Sequence, residues 1–161
     1  MKKIIFLFFF SIFFCFYLSP AQVLISYRDA SGNSLEAEPI HTCGESKLYV
    51  RLDIQSTVDS IAVEINFPEG TSYVSGSLIQ TYATSAAISI DVVDITNLKR
   101  PKFKVTGQMN FGDMLTFSVE RTAGCRAYYL ANIATPKVVQ KDSVYCSWNG
   151  GAVSDENPNL N

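Results

Sequence analysis

The sequence predicts an all-β protein, either a sandwich or a barrel, from three observations. Apolar and polar residues alternate along most of the chain after residue 22, which is typical of strands that bury one face. Turn-forming residues such as Pro68 and Gly70 separate the alternating segments. No segment sustains a helical period, so we expect little or no helix.

The first 21 residues have the organisation of a secretory signal peptide. Lys2 and Lys3 precede an apolar stretch over residues 4–18, which contains most of the 11 Phe residues of the chain. This stretch is shorter than the ~20 apolar residues that a membrane-spanning helix needs. Small residues follow it, and we expect cleavage after Ala21.

The remaining chain is long enough for one domain with its own core. Removing the leader takes away two lysines and no acid, so the formal net charge of −2 becomes more negative. An acidic domain argues against nucleic acid as a partner. No second apolar stretch reaches membrane length, so we expect no membrane span in the mature chain.

The clearest strands are predicted over residues 48–54 and 61–67, where every second residue is apolar. The polar segment between them predicts a turn, so this pair is expected to form an antiparallel hairpin with one face on the core. An earlier strand is predicted over residues 23–28. Later strands are expected over residues 72–74, 88–93, 102–105, 114–121, 125–131 and 143–148.

Residues 149–161 are predicted to be a flexible tail or linker. They combine two glycines, Pro158 and several asparagines with few large apolar residues. The expected organisation is therefore a signal peptide over residues 1–21, a sandwich domain over residues 22–148 and this tail. Such a tail fits a chain that is one part of a longer, multi-repeat protein.

Three cysteines remain after the leader with its Cys15 is removed. An odd number in an exported protein predicts one disulfide and one free thiol. Cys43 and Cys125 are the expected pair and Cys146 the free thiol, although the sequence leaves the other pairings open. His41, the single histidine, lies near Cys43, but an isolated His–Cys neighbourhood is more often structural than catalytic.

No catalytic residue, metal site or cofactor is expected. The sequence contains no GxSxG, HExxH, P-loop or GxGxxG motif, and one histidine nearly excludes triads and multi-histidine metal sites. Acid pairs such as Asp91 and Asp94, or Asp53 and Glu64, fit solvated strand faces better than a glycosidase pair. Oxygen-rich segments near Asn97 and over residues 155–157 lack the spacing of a calcium loop.

An alternative function comes from the aromatic residues expected on the surface, which could stack on sugar rings. These residues are Tyr49, Tyr73, Tyr82, Tyr128, Tyr129 and Trp148. Such rings in a sandwich more often cap the core or pack in cross-strand pairs. A carbohydrate-binding module, with or without calcium, is therefore the second hypothesis.

One segment resembles a known family of bacterial surface modules. Residues 67–78, FPEGTSYVSGSL, are similar to the end of a strand in the conserved repeat domain of unknown function eleven. Other similar segments are residues 43–45, 97–103, 112–113 and 121–125. Together they resemble the N-terminal modules of large secreted proteins of gliding bacteria that use type IX secretion.

The resemblance implies an immunoglobulin-like antiparallel β-sandwich that serves as a stalk, spacer or adhesive module. It implies no enzyme activity and a partner that is an unknown protein or glycan at the cell surface. The expected location is secreted or on the outer cell surface, or the periplasm if export stops there. Asp59-Ser60-Ile61 and Asp142-Ser143-Val144 resemble O-glycosylation acceptors of the same bacteria, with Ser60 and Ser143 as the modified residues.

Overall fold

The structure is a computed structural model that describes residues 23–27, 44–124 and 142–156. All regular structure in these three ranges is β-strand, and they contain no helix. The strands are β1 (Val23–Ser26), β2 (Glu45–Ile54), β3 (Val58–Asn66), β4 (Thr71–Tyr73), β5 (Ile79–Ala83), β6 (Ser89–Asp94), β7 (Lys102–Met109), β8 (Met114–Ala123), β9 (Ser143–Trp148) and β10 (Gly151–Glu156).

The strands form two antiparallel five-stranded sheets. Sheet one has the order β1-β2-β8-β4, and β5 pairs with β8 beside β4. Sheet two has the order β10-β9-β3-β7-β6. The buried side chains of both sheets form one hydrophobic core, so the predicted all-β antiparallel sandwich is confirmed.

The alternation seen in the sequence matches the buried faces. Every second residue of β2 from Ser46 to Ile54 is buried, and β3 alternates in the same way. Rings from both sheets meet in the middle of the core, where Phe103 lies 5.6 Å from Tyr73 and 6.3 Å from Phe117 between ring centroids.

The predicted hairpin between residues 48–54 and 61–67 is wrong. Strand β2 pairs with β1 and β8 in sheet one, whereas β3 pairs with β7 and β9 in sheet two. The connection over residues 55–57 therefore crosses from one sheet to the other. An alternating pattern shows which face of a strand is buried, but it does not show which strand it pairs with. Two strands on opposite sides of one core have the same pattern.

The flexible tail expected from residue 149 is also wrong for residues 151–156, which form β10. This strand pairs with β9 along its whole length through the two-residue turn Asn149-Gly150, where Gly150 has a φ of 109°. Asn-Gly is a strong hairpin signal because both turn positions favour positive φ. A side chain at Gly151 would press on the indole of Trp148, so this glycine lets the ring pack.

Strand β5 was not predicted, because four of its five side chains are exposed and the fifth is half-buried. It belongs to the sheet through backbone pairing with β8. Gly70 and Gly76 both have positive φ, at 82° and 83°. The strand predicted over residues 125–131 lies outside the described residues.

A buried ion pair links the two sheets. Arg121 of β8 pairs through its guanidinium with the carboxylate of Asp142, which directly precedes β9, and both side chains are fully buried. The Nε atom of Arg121 also donates a hydrogen bond of 2.9 Å to the hydroxyl of Ser46. Two opposite charges that are both removed from water must stay paired, because either one alone would be costly to bury.

We predict that Asp142→Ala destabilises the fold by about 3–5 kcal/mol, because it leaves the buried charge of Arg121 without its carboxylate. Urea unfolding of the full chain followed by circular dichroism measures the change. The matched control is Lys99→Ala, which breaks the exposed pair with Glu69 and should cost less than about 1 kcal/mol. Equal costs for the two variants would contradict the structural role of the buried pair.

Candidate functional site

Three connections meet at one end of the sandwich, which we call the loop end. They are the β2–β3 connection (residues 55–57), the β5–β6 connection (residues 84–88) and the β7–β8 turn (residues 110–113). The turn contacts both of the others. The hydroxyl of Thr57 donates to Oδ1 of Asn110 at 3.4 Å, and the hydroxyl of Thr84 donates to Oδ1 of Asp113 at 2.7 Å.

The β7–β8 turn is also closed internally. Asn110 N donates to Oδ2 of Asp113 at 2.7 Å, and Asp113 N donates to the carbonyl of Asn110 at 3.0 Å. These contacts lower the pKa of Asp113, first through the backbone N–H of Asn110 and then through the hydroxyl of Thr84. The carboxylate therefore holds the turn together in its charged form.

The β5–β6 connection is packed directly against β7. Gly107 has a φ of 113°, and a side chain there would overlap the carbonyl oxygen of Ala87. Ile88 is buried in the core and anchors the end of the connection. Backbone approach of this kind requires glycine, and it fixes residues 84–88 relative to the sheet.

Phe111 projects from this fixed turn with 75% of its surface exposed, whereas Phe103 and Phe117 are 1% and 0% exposed. The three connections of the loop end carry mostly polar side chains and one carboxylate, that of Asp113. None of these connections contains Lys or Arg. A second carboxylate, that of the exposed Asp59, lies near the start of β3, where the preceding Val58 pairs with Met109 at the end of β7. A large exposed ring on a rigid turn is typical of the anchor residues of protein interfaces.

Sequence reasoning did not identify Phe111 or the loop end. A signal was present, since an aromatic residue stands inside the turn sequence Asn110-Phe111-Gly112-Asp113 rather than at an alternating strand position. The sequence does not reveal that three separate connections converge there.

The acidic residues considered for catalysis have local partners. Asp53 accepts hydrogen bonds from the guanidinium of Arg51, and Glu64 lies 4.0 Å from the amine of Lys102. Asp91 stands opposite Lys104 in the β6–β7 register. Each of these acids is thus matched to a cation on a strand surface.

Asp94 and Asn97 cap their own loop. Asp94 accepts hydrogen bonds from the backbone N–H and the hydroxyl of Thr96, which lower its pKa in that order. Oδ1 of Asn97 accepts from the backbone N–H of Lys99. A lowered pKa is the opposite of what a general acid needs. No group of three metal-ligating side chains occurs within residues 23–27, 44–124 and 142–156.

Two of the aromatic residues proposed as a sugar platform are used for packing. Tyr73 is buried in the core, which corrects its assignment to the surface, and Trp148 packs against Gly151 and the core. Tyr49 is half-buried and Tyr82 is 40% exposed, both on sheet one. Tyr128 and Tyr129 lie outside the described residues.

Cys43, Cys125 and His41 also lie outside the described residues. The strands that lead to the two cysteines are adjacent, because Ala123 N donates to the carbonyl of Gly44 at 2.9 Å. Cys146 is a free thiol buried in β9, opposite Val63 and Val153. Desolvation raises the pKa of this thiol from 9.0 to about 12.

Ser60 and Ser143 are both half-buried within strands. Ser60 stands opposite Thr106 of β7, and its neighbour Asp59 is exposed. Ser143 follows the fully buried Asp142 and pairs with Asn66. Modification of either residue stays a prediction, and an acidic neighbour is accessible only at Ser60.

The sequence matches no protein-family model and no curated protein. Solved structures do resemble the fold. A membrane anchored protein from Corynebacterium diphtheriae has a TM-score of 0.50 and 10% identity, over 84% of this chain and 32% of that one. The full-length major pilin SpaD from the same organism has a TM-score of 0.47 and 10% identity, over 83% and 33%.

A third structure is that of an uncharacterised protein from Nocardia farcinica with an immunoglobulin-like fold. Its TM-score is 0.40 at 13% identity, over 73% of this chain and 78% of that one. At these identities the likeness concerns the fold alone. The chain spans about a third of the two Corynebacterium diphtheriae structures. With its two packed antiparallel sheets, the chain is an immunoglobulin-like β-sandwich, as expected. Among the described residues no helix could span a membrane.

We predict that Cys146 resists alkylation by iodoacetamide in the folded protein and reacts readily once urea unfolds it, because only the thiolate reacts and burial raises its pKa to about 12. Burial of the neutral thiol stabilises the fold below pH 9, and this contribution is lost as the pH rises through about 12. Mass spectrometry of the tryptic peptide gives the alkylation rate. Equal rates in folded and unfolded protein would contradict the burial.

Proposed function

We propose that the protein is an exported, non-enzymatic immunoglobulin-like module with a structural or adhesive role in a cell-surface or secreted protein. The observation that carries this proposal is the loop end, where a rigid turn presents Phe111 to solvent. An exposed aromatic side chain on a turn whose backbone is fixed by hydrogen bonds is suited to contact a partner.

Export is supported by the signal-like segment over residues 1–21. We include in the proposal a disulfide between Cys43 and Cys125. It is supported by the backbone hydrogen bond between Ala123 and Gly44, which joins the strands next to both cysteines. The module is proposed to be one part of a longer multi-repeat protein.

The chemistry of the loop end favours a protein partner. Phe111 would enter an apolar pocket, and the carboxylates of Asp59 and Asp113 would face basic side chains at the rim of that pocket. The same carboxylates disfavour nucleic acid and anionic lipid.

The carbohydrate-binding alternative loses two of the rings on which it rests. Stacking on sugars needs exposed rings, yet Tyr73 and Trp148 are used for packing. Retention of displaying cells on protein surfaces and on polysaccharide surfaces separates the two functions.

We predict that Phe111→Ser weakens adhesion to a protein surface without loss of stability. Bacteria displaying the full chain are tested for retention on immobilised collagen, fibronectin, mucin and a polysaccharide panel. Retention on a protein surface should fall about tenfold or more, since truncating an interface anchor typically costs about 2 kcal/mol or more. Tyr145→Ser is the matched control, because Tyr145 is 43% exposed on sheet two, away from the loop end.

Retention on polysaccharides alone would favour the carbohydrate module. Retention on proteins that is unchanged by Phe111→Ser would remove the loop end from the proposal. No retention on any surface would contradict an adhesive role.

The disulfide predicts the number of titratable thiols in the exported protein. Unfolded protein without reductant should contain one thiol, that of Cys146, and reduction should raise the number to three. Titration with Ellman's reagent in guanidinium measures both values. Three thiols before reduction would exclude the bridge.

A further inference from the structure

The turn between β9 and β10 is the only place in the chain where a glycine follows an asparagine. Both turn residues, Asn149 and Gly150, are exposed. The ladder of the hairpin begins at the pair Trp148 and Gly151, so Gly150 N lies outside it. Within the described residues this nitrogen donates to no acceptor. The turn thus combines an exposed position with a backbone nitrogen that no hydrogen bond holds.

The side-chain amide of Asn149 is equally unrestrained, because it takes part in no hydrogen bond of the described part of the chain. The other described asparagines differ. Oδ1 of Asn97 accepts a backbone N–H, Oδ1 of Asn110 accepts a hydroxyl at 3.4 Å, and Oδ1 of Asn66 is buried. Each of these three is followed by Leu or Phe, whose side chain hinders approach to its own backbone nitrogen, whereas glycine offers no such hindrance.

We propose that Asn149 deamidates spontaneously and that the isoaspartate formed releases β10 from its sheet. Hydroxide removes the proton from Gly150 N, and the nitrogen attacks Cγ of Asn149. An N–Cγ bond forms and the bond from Cγ to the side-chain nitrogen breaks. That nitrogen leaves as ammonia with a proton taken from water, which regenerates hydroxide and leaves a cyclic succinimide.

Water then opens the succinimide in one of two ways. Cleavage of the new N–Cγ bond gives aspartate with the original main chain. Cleavage of the bond between the same nitrogen and the main-chain carbonyl carbon gives isoaspartate. In both cases water is consumed and ammonia has been released, so an uncharged amide becomes a carboxylate.

Isoaspartate lengthens the turn, because the main chain then runs through Cβ and Cγ of residue 149. A two-residue turn sets the register of its hairpin, so an added main-chain carbon is incompatible with the pairing of Gly151 with Trp148. Gly151 also lies so close to the indole of Trp148 that a Cβ would come within 2.8 Å of the ring. A shift of the turn therefore disturbs both the ladder and this contact.

Strand β10 has few other contacts that could hold it in place. It is the last strand of sheet two and pairs only with β9. Of residues 151–155, only Val153 packs against the core. The hydroxyl of Tyr27 donates to the carbonyl of Asp155 at 2.8 Å. An edge strand held in this way is expected to open locally while the core stays folded.

This inference concerns a different part of the module from the loop end and goes beyond the proposed function. Phe111→Ser should not alter the rate of deamidation, so failure of the adhesive proposal is distinguishable from failure here.

The site is tested by ageing the folded full chain in mildly alkaline buffer made with water enriched in heavy oxygen. Mass spectrometry follows the peptides that contain each asparagine. The Asn149 peptide should deamidate and gain one heavy oxygen atom about tenfold or more faster than those of Asn66, Asn97 and Asn110. Asn149→Gln is the matched control and should stay unchanged, because its longer side chain must close a larger ring. Conversion at Asn149 that is no faster than at the other asparagines would overturn the site.

The structural consequence is tested by hydrogen exchange on the aged protein. Ion exchange separates the deamidated fraction, and methylation by an isoaspartyl methyltransferase measures its isoaspartate content. The amides of β10 should lose protection in proportion to this content, whereas those of β3 and β8 stay protected. Freshly prepared Asn149→Asp is the matched control, because it adds the charge without the extra main-chain carbon, and its β10 should remain protected.

Two results would overturn the release of β10. One is full protection of β10 in the isoaspartate fraction. The other is equal loss of protection in Asn149→Asp, which would assign the effect to the charge rather than to the longer main chain.

Discussion

Strand β8 must satisfy its backbone hydrogen bonds on both sides, and much of the architecture follows from how it does so. On one side it pairs with β2 over nine residue pairs. On the other side β8 pairs with two short strands, β4 and β5, and a gap lies between them. Two hydrogen bonds to Glu120 fill this gap. Val74 N donates to the carbonyl of Glu120, and the hydroxyl of Ser77 accepts from Glu120 N. A side chain thus completes the ladder where the backbone departs from it.

Side chains also bond to backbone groups in place of a neighbouring strand where the two sheets meet at their edges. At one seam the hydroxyl of Tyr27, which directly follows β1 of sheet one, donates to the carbonyl of Asp155 in sheet two at 2.8 Å. At the other seam Gln80 bonds to Ile88 and Ile90. Between the seams, the Arg121–Asp142 pair ties β8 to the start of β9. Apolar packing is not directional, so these polar contacts define how the sheets are aligned over the shared core.

The sequence predicts the fold class and most strands because alternation directly reflects burial. It does not predict strand neighbours, since β2 and β3 bury equivalent faces from opposite sheets. Strand β5 gives no signal because its side chains are mostly exposed, whereas β10 was signalled by Asn149-Gly150 and missed because its composition is polar. The candidate site was predictable only in part. The turn sequence around Phe111 distinguishes it from the buried Phe103, but the convergence of three connections at this turn is visible only in the fold.

The division between core and loop end determines which substitutions can change function alone. The loop end is held by backbone bonds of the β7–β8 turn and by Asp113, and the ring of Phe111 takes no part in these contacts. A change of this side chain therefore leaves the scaffold unaltered while changing the surface offered to a partner. A substitution of Gly107 would instead alter the scaffold. Any side chain there displaces residues 84–88, which include the Thr84 that bonds to the β7–β8 turn. The side chain at position 111 can therefore vary and change the surface that a partner contacts, whereas residues that position the turn, such as Gly107 and Asp113, tolerate little variation.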